Sequence, residues 1–234
     1  MLRPTLLTVL FALSSAPAAQ AQSPGPWLDD IAFDAELADT GAPDADEPVA
    51  CPRWILRDGV ELPELPELYH RMRPSRAWGT PELVNLLLDT AAEVAFLKPD
   101  ADRIVIGDLS RKGGGDLRGH RSHKGGIDAD LGLYFYDGRQ HQYGFLEPVL
   151  AAFDVETNWL VIRTMLDSGM VERILIDQSY LLPLKRHAIA TGDLTPAEAR
   201  EIFVFEAEHR WRTGTVHHAP GHRDHLHIRV KCFR

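Results

Sequence analysis

Two short segments in which apolar and polar residues alternate constrain the fold of this chain more than any other feature. They cover residues 127–135 and residues 225–230. Because successive side chains of a β-strand point to opposite faces, this period of two predicts two strands, each with one buried side. The other side is polar in both. It carries Asp128 and Asp130 in the first strand, and His225 and His227 in the second.

Helices and further strands are predicted around these two. Thr80 is a good N-cap and Pro81 suits the first helical position, so a helix is expected to begin there and to end at residues 98–99. Further strands are predicted over residues 103–108 and 171–177, and further helices over residues 156–168 and 195–208. Strands interspersed with helices indicate an α+β domain with a largely antiparallel sheet.

The first 21 residues have the parts of a cleavable signal peptide. Arg3 is a positive start, residues 6–13 form a short apolar run, and residues 19–21 match a small-x-small cleavage site. The run is shorter than the roughly 20 apolar residues of a spanning helix. A buried N-terminal helix is the alternative interpretation. We expect a soluble protein in the periplasm or outside the cell, with no membrane span in its mature form.

Residues 22–50 are typical of a disordered linker. They contain four prolines and eight acidic residues but no basic residue. The following residues, 51–234, are enough for a single domain with a real core. The formal net charge of the whole chain is −9, which disfavours binding to phosphate backbones or to anionic lipid. Nucleic acid is therefore not an expected partner.

Two cysteines, Cys51 and Cys232, are present near the two ends of the predicted domain. In an oxidising compartment such a pair often forms a disulfide, although two free thiols are the alternative. Two cysteines cannot build a multi-cysteine zinc knuckle. Any metal site in this chain must therefore use histidines and carboxylates.

The histidines are clustered. Seven of the eleven fall in two short windows, comprising His120, His123, His217, His218, His222, His225 and His227. His225 and His227 are two apart on a strand, so their side chains share a face about 6–7 Å apart. One metal ion cannot easily bind both at about 2.1 Å. We expect one to bind metal and the other to act on water or substrate, and the pair of Asp128 and Asp130 repeats this geometry.

His123 lies in the loop before the first strand, where it can fold over the same polar face. Two histidines and one carboxylate with an open position make a catalytic zinc site. The alternative is that these side chains are merely solvated. His217 and His218 precede a Pro-Gly pair and are expected in a loop. The remaining histidines have no partners in sequence and are expected at the surface, namely His70, His141, His187 and His209.

Both windows resemble known metal motifs. Residues 122–130 (SHKGGIDAD), preceded by Gly119 and His120, resemble the first metal motif of the penicillin-insensitive murein endopeptidases, and residues 221–229 (GHRDHLHIR) resemble the second. That family is grouped with lysostaphin-type enzymes, D-Ala-D-Ala metallopeptidases and hedgehog domains. The similarity extends to residues 76–84, 104–108 and 156–177, and it covers about residues 50–232.

The resemblance implies a role for each matching residue. His123, Asp130 and His227 match the ligands of one zinc ion. His225 matches the histidine that serves as base or stabilises the oxyanion, and His120 and His222 match further histidines of the catalytic cleft. A hydrogen bond from a metal-binding histidine to Asp128 is a further expectation, and a hydrogen bond from the loop to Asp128 is the alternative. The clustered cations are predicted to bind substrate carboxylates or to form a solvated rim, and they are Arg118, Arg121, Lys124 and Arg223.

The resemblance also implies a fold and a reaction. The expected fold is a small antiparallel sheet flanked by helices, with zinc on the concave face of the sheet. The expected reaction is hydrolysis of D-alanyl–diaminopimelyl cross-links between peptidoglycan stem peptides, in the periplasm. Two alternatives remain. One is a D,D-carboxypeptidase or dipeptidase acting on D-Ala-D-Ala termini, and the other is a zinc-bearing peptidoglycan-binding module without turnover. The oligomeric state is not predicted.

Overall fold

The computed structural model describes residues 54–136, 150–205 and 214–232. The helices in these ranges are α1 (Pro81–Leu97), α2 (Val155–Asp167), α3 (Gln178–Ala190) and α4 (Pro196–Ile202). The strands are β1 (Val60–Glu61), β2 (Tyr69–Arg71), β3 (Trp78–Gly79), β4 (Ile104–Ile106), β5 (Asp128–Gly132), β6 (Val171–Ile176), β7 (Phe203–Val204), β8 (Val216–His218) and β9 (His225–Val230). Short 3-10 helices span Pro74–Arg76 and Leu150–Ala152.

Several predictions concern residues outside these ranges. They are the signal peptide (1–21), the linker (22–50), Cys51, His141 and His209. The pairing of Cys51 with Cys232 therefore stays a prediction. In the ranges that the structure does describe, no helix is both long and apolar enough to cross a membrane.

Seven strands of the described part of the chain form one mixed sheet in the order β2-β4-β5-β9-β6-β8-β7, and β1 pairs with β3 separately. The four central strands are antiparallel neighbours. The outer pairs β2-β4, β6-β8 and β8-β7 are parallel. The predicted mixture of helices and strands is confirmed. The prediction of a small antiparallel sheet is correct only for the centre, because parallel strands extend the sheet on both sides.

One face of the sheet belongs to the hydrophobic core. Ala129 pairs with Ile228, and Leu131 pairs with Leu226, across the β5–β9 ladder. Ile228 pairs in turn with Ile174 of β6, and all five side chains are buried. The predicted alternation is thus correct for this face within β5, although the strand covers Asp128–Gly132 and not the whole of residues 127–135. The prediction of only one buried side is wrong, because Asp128 and Asp130 on the other face are 2% and 1% exposed.

The helix boundaries follow capping residues. Thr80 caps α1 by accepting a hydrogen bond from the Leu83 amide at 3.3 Å, as predicted. Thr195 and Glu198 form a capping box at the start of α4. The prediction of a helix over residues 195–208 is wrong at residues 203–204, because they pair with β8 as strand β7. Residues 206–208 lie outside the described ranges. Helix α3, capped by Asp177, was not predicted.

Candidate metal centre

The β5–β9 ladder brings the two polar windows together. Asp130 lies directly opposite His227, and Asp128 lies directly opposite Arg229. Side chains of directly opposed residues in an antiparallel pair lie on the same face and are close enough to interact. Because Asp130 and His227 are 97 residues apart in the chain, this face exists only once the two strands have paired.

Three atoms from His123, Asp130 and His227 form a nearly equilateral triangle. His123 Nε2 lies 3.1 Å from Asp130 Oδ1, His227 Nδ1 lies 3.0 Å from the same oxygen, and the two ring nitrogens are 3.1 Å apart. Ligands about 2.1 Å from one tetrahedral zinc ion are separated by roughly 3.3 Å. The three residues therefore fit a single divalent ion, with two imidazole nitrogens and one carboxylate oxygen as donors.

The other nitrogen of each ring already has a partner. His123 Nδ1 lies 2.7 Å from the carbonyl oxygen of Leu109, and His227 Nε2 lies 3.0 Å from Oδ1 of Asp128. Both partners accept hydrogen bonds, so these nitrogens carry protons. His123 Nε2 and His227 Nδ1 are then the nitrogens with lone pairs available to a metal.

The charge of this cluster also favours a cation. Burial alone would lower the pKa of His227, but hydrogen bonds to Asp128 and Asp130 and their charges raise it to about 9. The pocket between these carboxylates thus attracts positive charge, either as a second proton on His227 or as a metal ion. Because both compete for Nδ1, metal binding is expected to weaken as the pH falls.

Asp128 contacts both metal-facing histidines. Its Oδ1 accepts from His227 Nε2 and from Nε of Arg229 at 2.8 Å, and its Oδ2 accepts from the backbone N–H of His123 at 3.2 Å. His123 has a φ of 60°, a left-handed conformation that is uncommon for a residue other than glycine. Burial raises the pKa of Asp128, but the hydrogen bond from His227 and the charges of His227 and Arg229 outweigh it and hold that pKa well below its usual range. Asp128 therefore lies where its predicted role requires.

His225 and His222 lie beside the triangle. His225 Nδ1 is 2.7 Å from Oδ1 of Asp224, and its Nε2 is 3.7 Å from Oδ1 of Asp130. The ring centroid of His222 is 5.0 Å from that of His225 and 5.7 Å from that of His227. Burial and the charges of His225 and His227 lower the pKa of His222 to about 4.

His120 is a competing ligand candidate. One ligand atom from each of His120, His123 and Asp130 lies within 4.8 Å of the others. However, His120 Nε2 bonds Oδ2 of Asp108 at 2.9 Å, and its Nδ1 is 3.7 Å from Oδ2 of Asp130. His227 Nδ1 lies closer to the other two donors, at 3.0 Å from Asp130 Oδ1 and 3.1 Å from His123 Nε2. We favour His227 as the third ligand, with His120 beside the site.

Asp108 is a site residue that the sequence analysis missed. Its Oδ2 accepts from Arg73 at 2.9 Å, from Arg76 at 2.7 Å and from His120. Its side chain is buried, but these three hydrogen bonds hold its pKa well below the usual range of a carboxyl group. The available signal was a single acidic residue at the end of the predicted strand 103–108. Nothing in that pattern pointed to three basic partners.

A cleft of about 770 Å³ opens onto the triangle. Its lining comprises Gly119, His120, Arg121, Ser122, Asp130, Arg173, Leu175, His217, His218, Ala219, Pro220, Gly221, His222, His225 and His227. Six of the seven clustered histidines thus line the cleft. The seventh, His123, is fully buried beneath it. It also includes Arg173, which the sequence analysis did not single out.

The predicted substrate-binding cations are dispersed. Arg121 lines the cleft, whereas Arg118 lines a separate pocket with Arg76 and Arg111. Lys124 bonds Asp116 at 2.6 Å and its ammonium lies over the ring of Trp54, and so it points elsewhere. Arg223 is exposed, and its carbonyl oxygen accepts a hydrogen bond from the hydroxyl of Tyr180. Carboxylate binding by Arg118, Arg121 and Arg223 stays a prediction.

Two of the remaining histidines lie in a strand where the sequence analysis predicted a loop. His217 and His218 belong to strand β8 and not to a loop, because residues 216–218 pair with β6. His217 Nε2 lies 2.7 Å from the carbonyl oxygen of Gly214. His70 in β2 and His187 in α3 are half-buried, so they are only partly exposed at the surface.

The fold and the site together indicate a class of protein. A carboxylate and two histidine nitrogens converge at the floor of an open cleft, which is the donor set of catalytic metal centres in hydrolases.

Comparison with known proteins finds similarity to one family. The model of the penicillin-insensitive murein endopeptidases matches residues 52–145, which include His123 and Asp130 but not β9. Similar curated proteins carry the name penicillin-insensitive murein endopeptidase. One from Yersinia enterocolitica is 26% identical over 170 residues, covering 70% of this chain and 58% of the relative. One from Yersinia pestis is 25% identical over 161 residues, covering 67% and 54%.

This chain is similar to the penicillin-insensitive murein endopeptidase family over residues 52–145. It spans little more than half the length of the curated relatives that it matches.

Proposed function

We propose that this protein is a zinc-dependent endopeptidase that hydrolyses D-alanyl–diaminopimelyl cross-links between peptidoglycan stem peptides. The observation that carries the proposal is the buried triangle of His123, Asp130 and His227 at the floor of an open cleft. These three residues would hold the metal. When bound, zinc supplies a Lewis acid that activates water and polarises a carbonyl group.

His225 is placed to move a proton. Asp224 accepts the hydrogen bond from its Nδ1, so the lone pair of the neutral ring is on Nε2, which faces the metal centre. This nitrogen can take a proton from the attacking water and return it to the leaving amine. The protonated ring can also donate to the oxyanion. Asp224 stabilises the imidazolium that forms between these steps.

His120 and His222 complete the cleft in different ways. Asp108 accepts from Nε2 of His120, which fixes the ring and leaves Nδ1 directed towards the metal centre. His222, with a pKa of about 4, is neutral at pH 7. It can therefore hydrogen-bond a polar peptide group without adding charge. We propose that both position the substrate beside His225.

The charges of the cleft suit a peptide that carries free carboxylates. Among the described residues that line the cleft, Asp130 is the one carboxylate, and the proposed metal would neutralise it. Arg121 and Arg173 contribute positive charge to the same walls. Stem peptides with diaminopimelate carry such carboxylates and lie in the periplasm, where the predicted signal peptide would deliver this protein.

The test is digestion of purified cross-linked muropeptide dimers, read by mass spectrometry. We expect conversion of dimers to monomers, lost on chelation and restored by zinc. The His227→Ala variant should lose both turnover and stoichiometric metal. The His225→Ala variant should keep its metal but lose turnover. His187→Ala, on helix α3 and outside the cleft lining, is the matched control and should behave as the unmodified protein.

Three outcomes would contradict the proposal. Intact dimers together with release of terminal D-alanine would identify a D,D-carboxypeptidase. Intact dimers, no released D-alanine and bound metal would identify a binding module without turnover. Full metal content in His227→Ala would mean that the ligand assignment is wrong.

A further inference from the structure

A second cavity, of about 540 Å³, borders the same loop as the cleft. Arg118 lines this cavity, whereas the next residues along the chain, Gly119, His120 and Arg121, line the cleft. Among the described residues, the lining of the second cavity comprises Ser75, Arg76, Arg111, Asp116, Leu117 and Arg118. Three arginines from two segments of the chain therefore meet at one cavity, the arginine pocket.

The acidic residue of the arginine pocket is already paired. Asp116 is the one carboxylate among the described residues of the lining, and it bonds the ammonium of Lys124 at 2.6 Å. The hydrogen bond and the charge of Lys124 lower the pKa of Asp116, and the charge of Arg111 lowers it further. A carboxylate shared with Lys124 cannot neutralise both Arg111 and Arg118. The wall of the pocket therefore keeps an excess of positive charge.

Arg76 connects the arginine pocket to the metal centre. Its guanidinium bonds Oδ2 of Asp108 at 2.7 Å, and the same oxygen accepts from Arg73 and from His120. Because two arginines share this one carboxylate, positive charge is in excess here too. Nδ1 of His120 lies 3.7 Å from Oδ2 of Asp130. These contacts put Arg76 on the order of 10 Å from the metal-binding carboxylate, a distance that about three extended residues span.

The loop that carries Arg111 and Arg118 is held in place by its backbone. The N–H of Gly114 donates to the carbonyl oxygen of Arg111 at 2.8 Å. A Cβ on Gly114 would lie 2.5 Å from the backbone nitrogen of Leu56, so the loop packs closely against that segment. Leu117, next to Arg118, is buried. Both arginine side chains thus extend from fixed positions, which lowers the cost of ordering them around an anion.

We propose that the arginine pocket is a second substrate site, which binds a free carboxylate about three residues from the scissile bond. In a stem peptide whose terminal D-alanine lies at the metal centre, that residue is the glutamate. The inference rests on the proposed function, because it takes the metal centre as the place where the cross-link is cut. A guanidinium can hold a carboxylate with two parallel hydrogen bonds, and two points of attachment favour long peptides over short ones.

Calorimetric titration of the metal-containing protein with the linear tetrapeptide alanyl-glutamyl-diaminopimelyl-alanine tests this without turnover. The peptide is compared in two forms, one with a free carboxylate on its glutamate and one with that carboxylate amidated. The variants are Arg111→Met, Arg118→Met and the double variant. Lys112→Met is the matched control. Lys112 is exposed in the same loop and carries the same charge, but its ammonium lies over the ring of Trp78 and it is absent from the pocket lining.

We expect the double variant to bind the free tetrapeptide about tenfold or more weakly than the unmodified protein, as for loss of charge-assisted hydrogen bonds. Each single variant should show part of that loss. The amidated peptide should bind the unmodified protein weakly, and the substitutions should not weaken it further. Lys112→Met should bind both peptides as the unmodified protein does. Metal content and thermal midpoint should be unchanged, because Arg111 and Arg118 are exposed.

Equal binding of the two peptides to the unmodified protein would overturn the inference. Unchanged affinity in the double variant, or no measurable binding of either peptide, would do the same. An equal loss in Lys112→Met would assign the effect to general charge attraction and would also overturn it.

The endopeptidase reaction and the second site can fail separately. Discrimination between the peptides that depends on Arg111 and Arg118, in a protein that leaves cross-linked dimers intact, would support the second site and contradict only the reaction. If the double variant does not fold, the single variants and the comparison of the two peptides on the unmodified protein still decide.

Discussion

Replacing Asp128 by asparagine tests how the metal centre is held together. The substitution keeps the size of the side chain and removes its charge. In one orientation the new amide group faces the backbone N–H of His123. In the other it faces Nε2 of His227 and Nε of Arg229. In either orientation the new N–H group of the amide points at another hydrogen-bond donor. Arg229 also loses its carboxylate partner in both.

The expected magnitude follows from these contacts. A buried donor left without an acceptor costs roughly 1–3 kcal/mol, and breaking a buried ion pair costs about 3–5 kcal/mol. Arg229 is half-buried, so we expect a loss of about 3 kcal/mol in the free energy of unfolding. In a domain of this size, that corresponds to a fall of about 6–12 °C in Tm. Zinc affinity should fall about 10–100-fold, because His227 loses the partner that orients its ring.

Two assays measure the two effects. Urea unfolding of the metal-free protein gives the change in stability, and competition with a chromogenic chelator gives the zinc affinity. Asp167→Asn, at the exposed end of α2, is the matched control and should change neither quantity. If Asp128→Asn kept both the stability and the zinc affinity of the unmodified protein, the role assigned to Asp128 would be refuted.

Three further predictions concern other parts of the domain. Gly114→Ala places a Cβ 2.4 Å from a backbone oxygen, whereas Gly113 has the same φ of 78° and open space around its Cβ position. Gly114→Ala should therefore destabilise the protein by at least about 2 kcal/mol more than Gly113→Ala. Equal urea midpoints for the two variants would contradict this. Thr80→Ala removes the cap of α1 and should cost about 1 kcal/mol in thermal unfolding without changing zinc affinity. His222 has a pKa of about 4 in the folded protein and 6.5 ordinarily, so the unfolded chain takes up its proton first and stability should fall as the pH drops from 6.5 to 4. His222→Gln should flatten that slope in urea titrations, and an unchanged slope would assign it to other groups.

The local periodicity of the sequence was enough to predict most elements. Helix α1 begins and ends within a residue of its prediction, because Thr80 and Pro81 determine its start whatever packs against it. Strands β5 and β9 follow from their alternation. The outer strands were harder, because β7 and β8 are only two and three residues long and have too few residues to show a period.

Helix α3 shows a second limit of local reasoning. Pro183 lies inside it, and proline usually breaks a helix, so its sequence argued against the structure that forms. The helix is nevertheless held by buried residues on one face, including Tyr180, Leu181 and Leu184. Tertiary packing therefore outweighs the local preference.

The candidate site was predictable in its residue types but not in its contacts. The spacing within each strand left His225 and His227 equivalent, and only the ladder register shows that His227 faces Asp130. Asp108 follows β4, and its partners Arg73, Arg76 and His120 lie on other segments of the chain. Arg173 lies on β6, which pairs with β9 across a long separation in sequence. No local pattern contains these contacts.

The register of the β5–β9 ladder has a consequence for the lifetime of the folded state. Asp130 and His227 are 97 residues apart in the chain. The strands that carry them are held to each other by non-covalent pairing. An ion held by both would act as a reversible cross-link between adjacent central strands. Opening the sheet at this seam would first require breaking the metal–ligand bonds. Loss of the ion would therefore hasten unfolding, and the resistance of the protein to proteases would depend on the concentration of that metal around it.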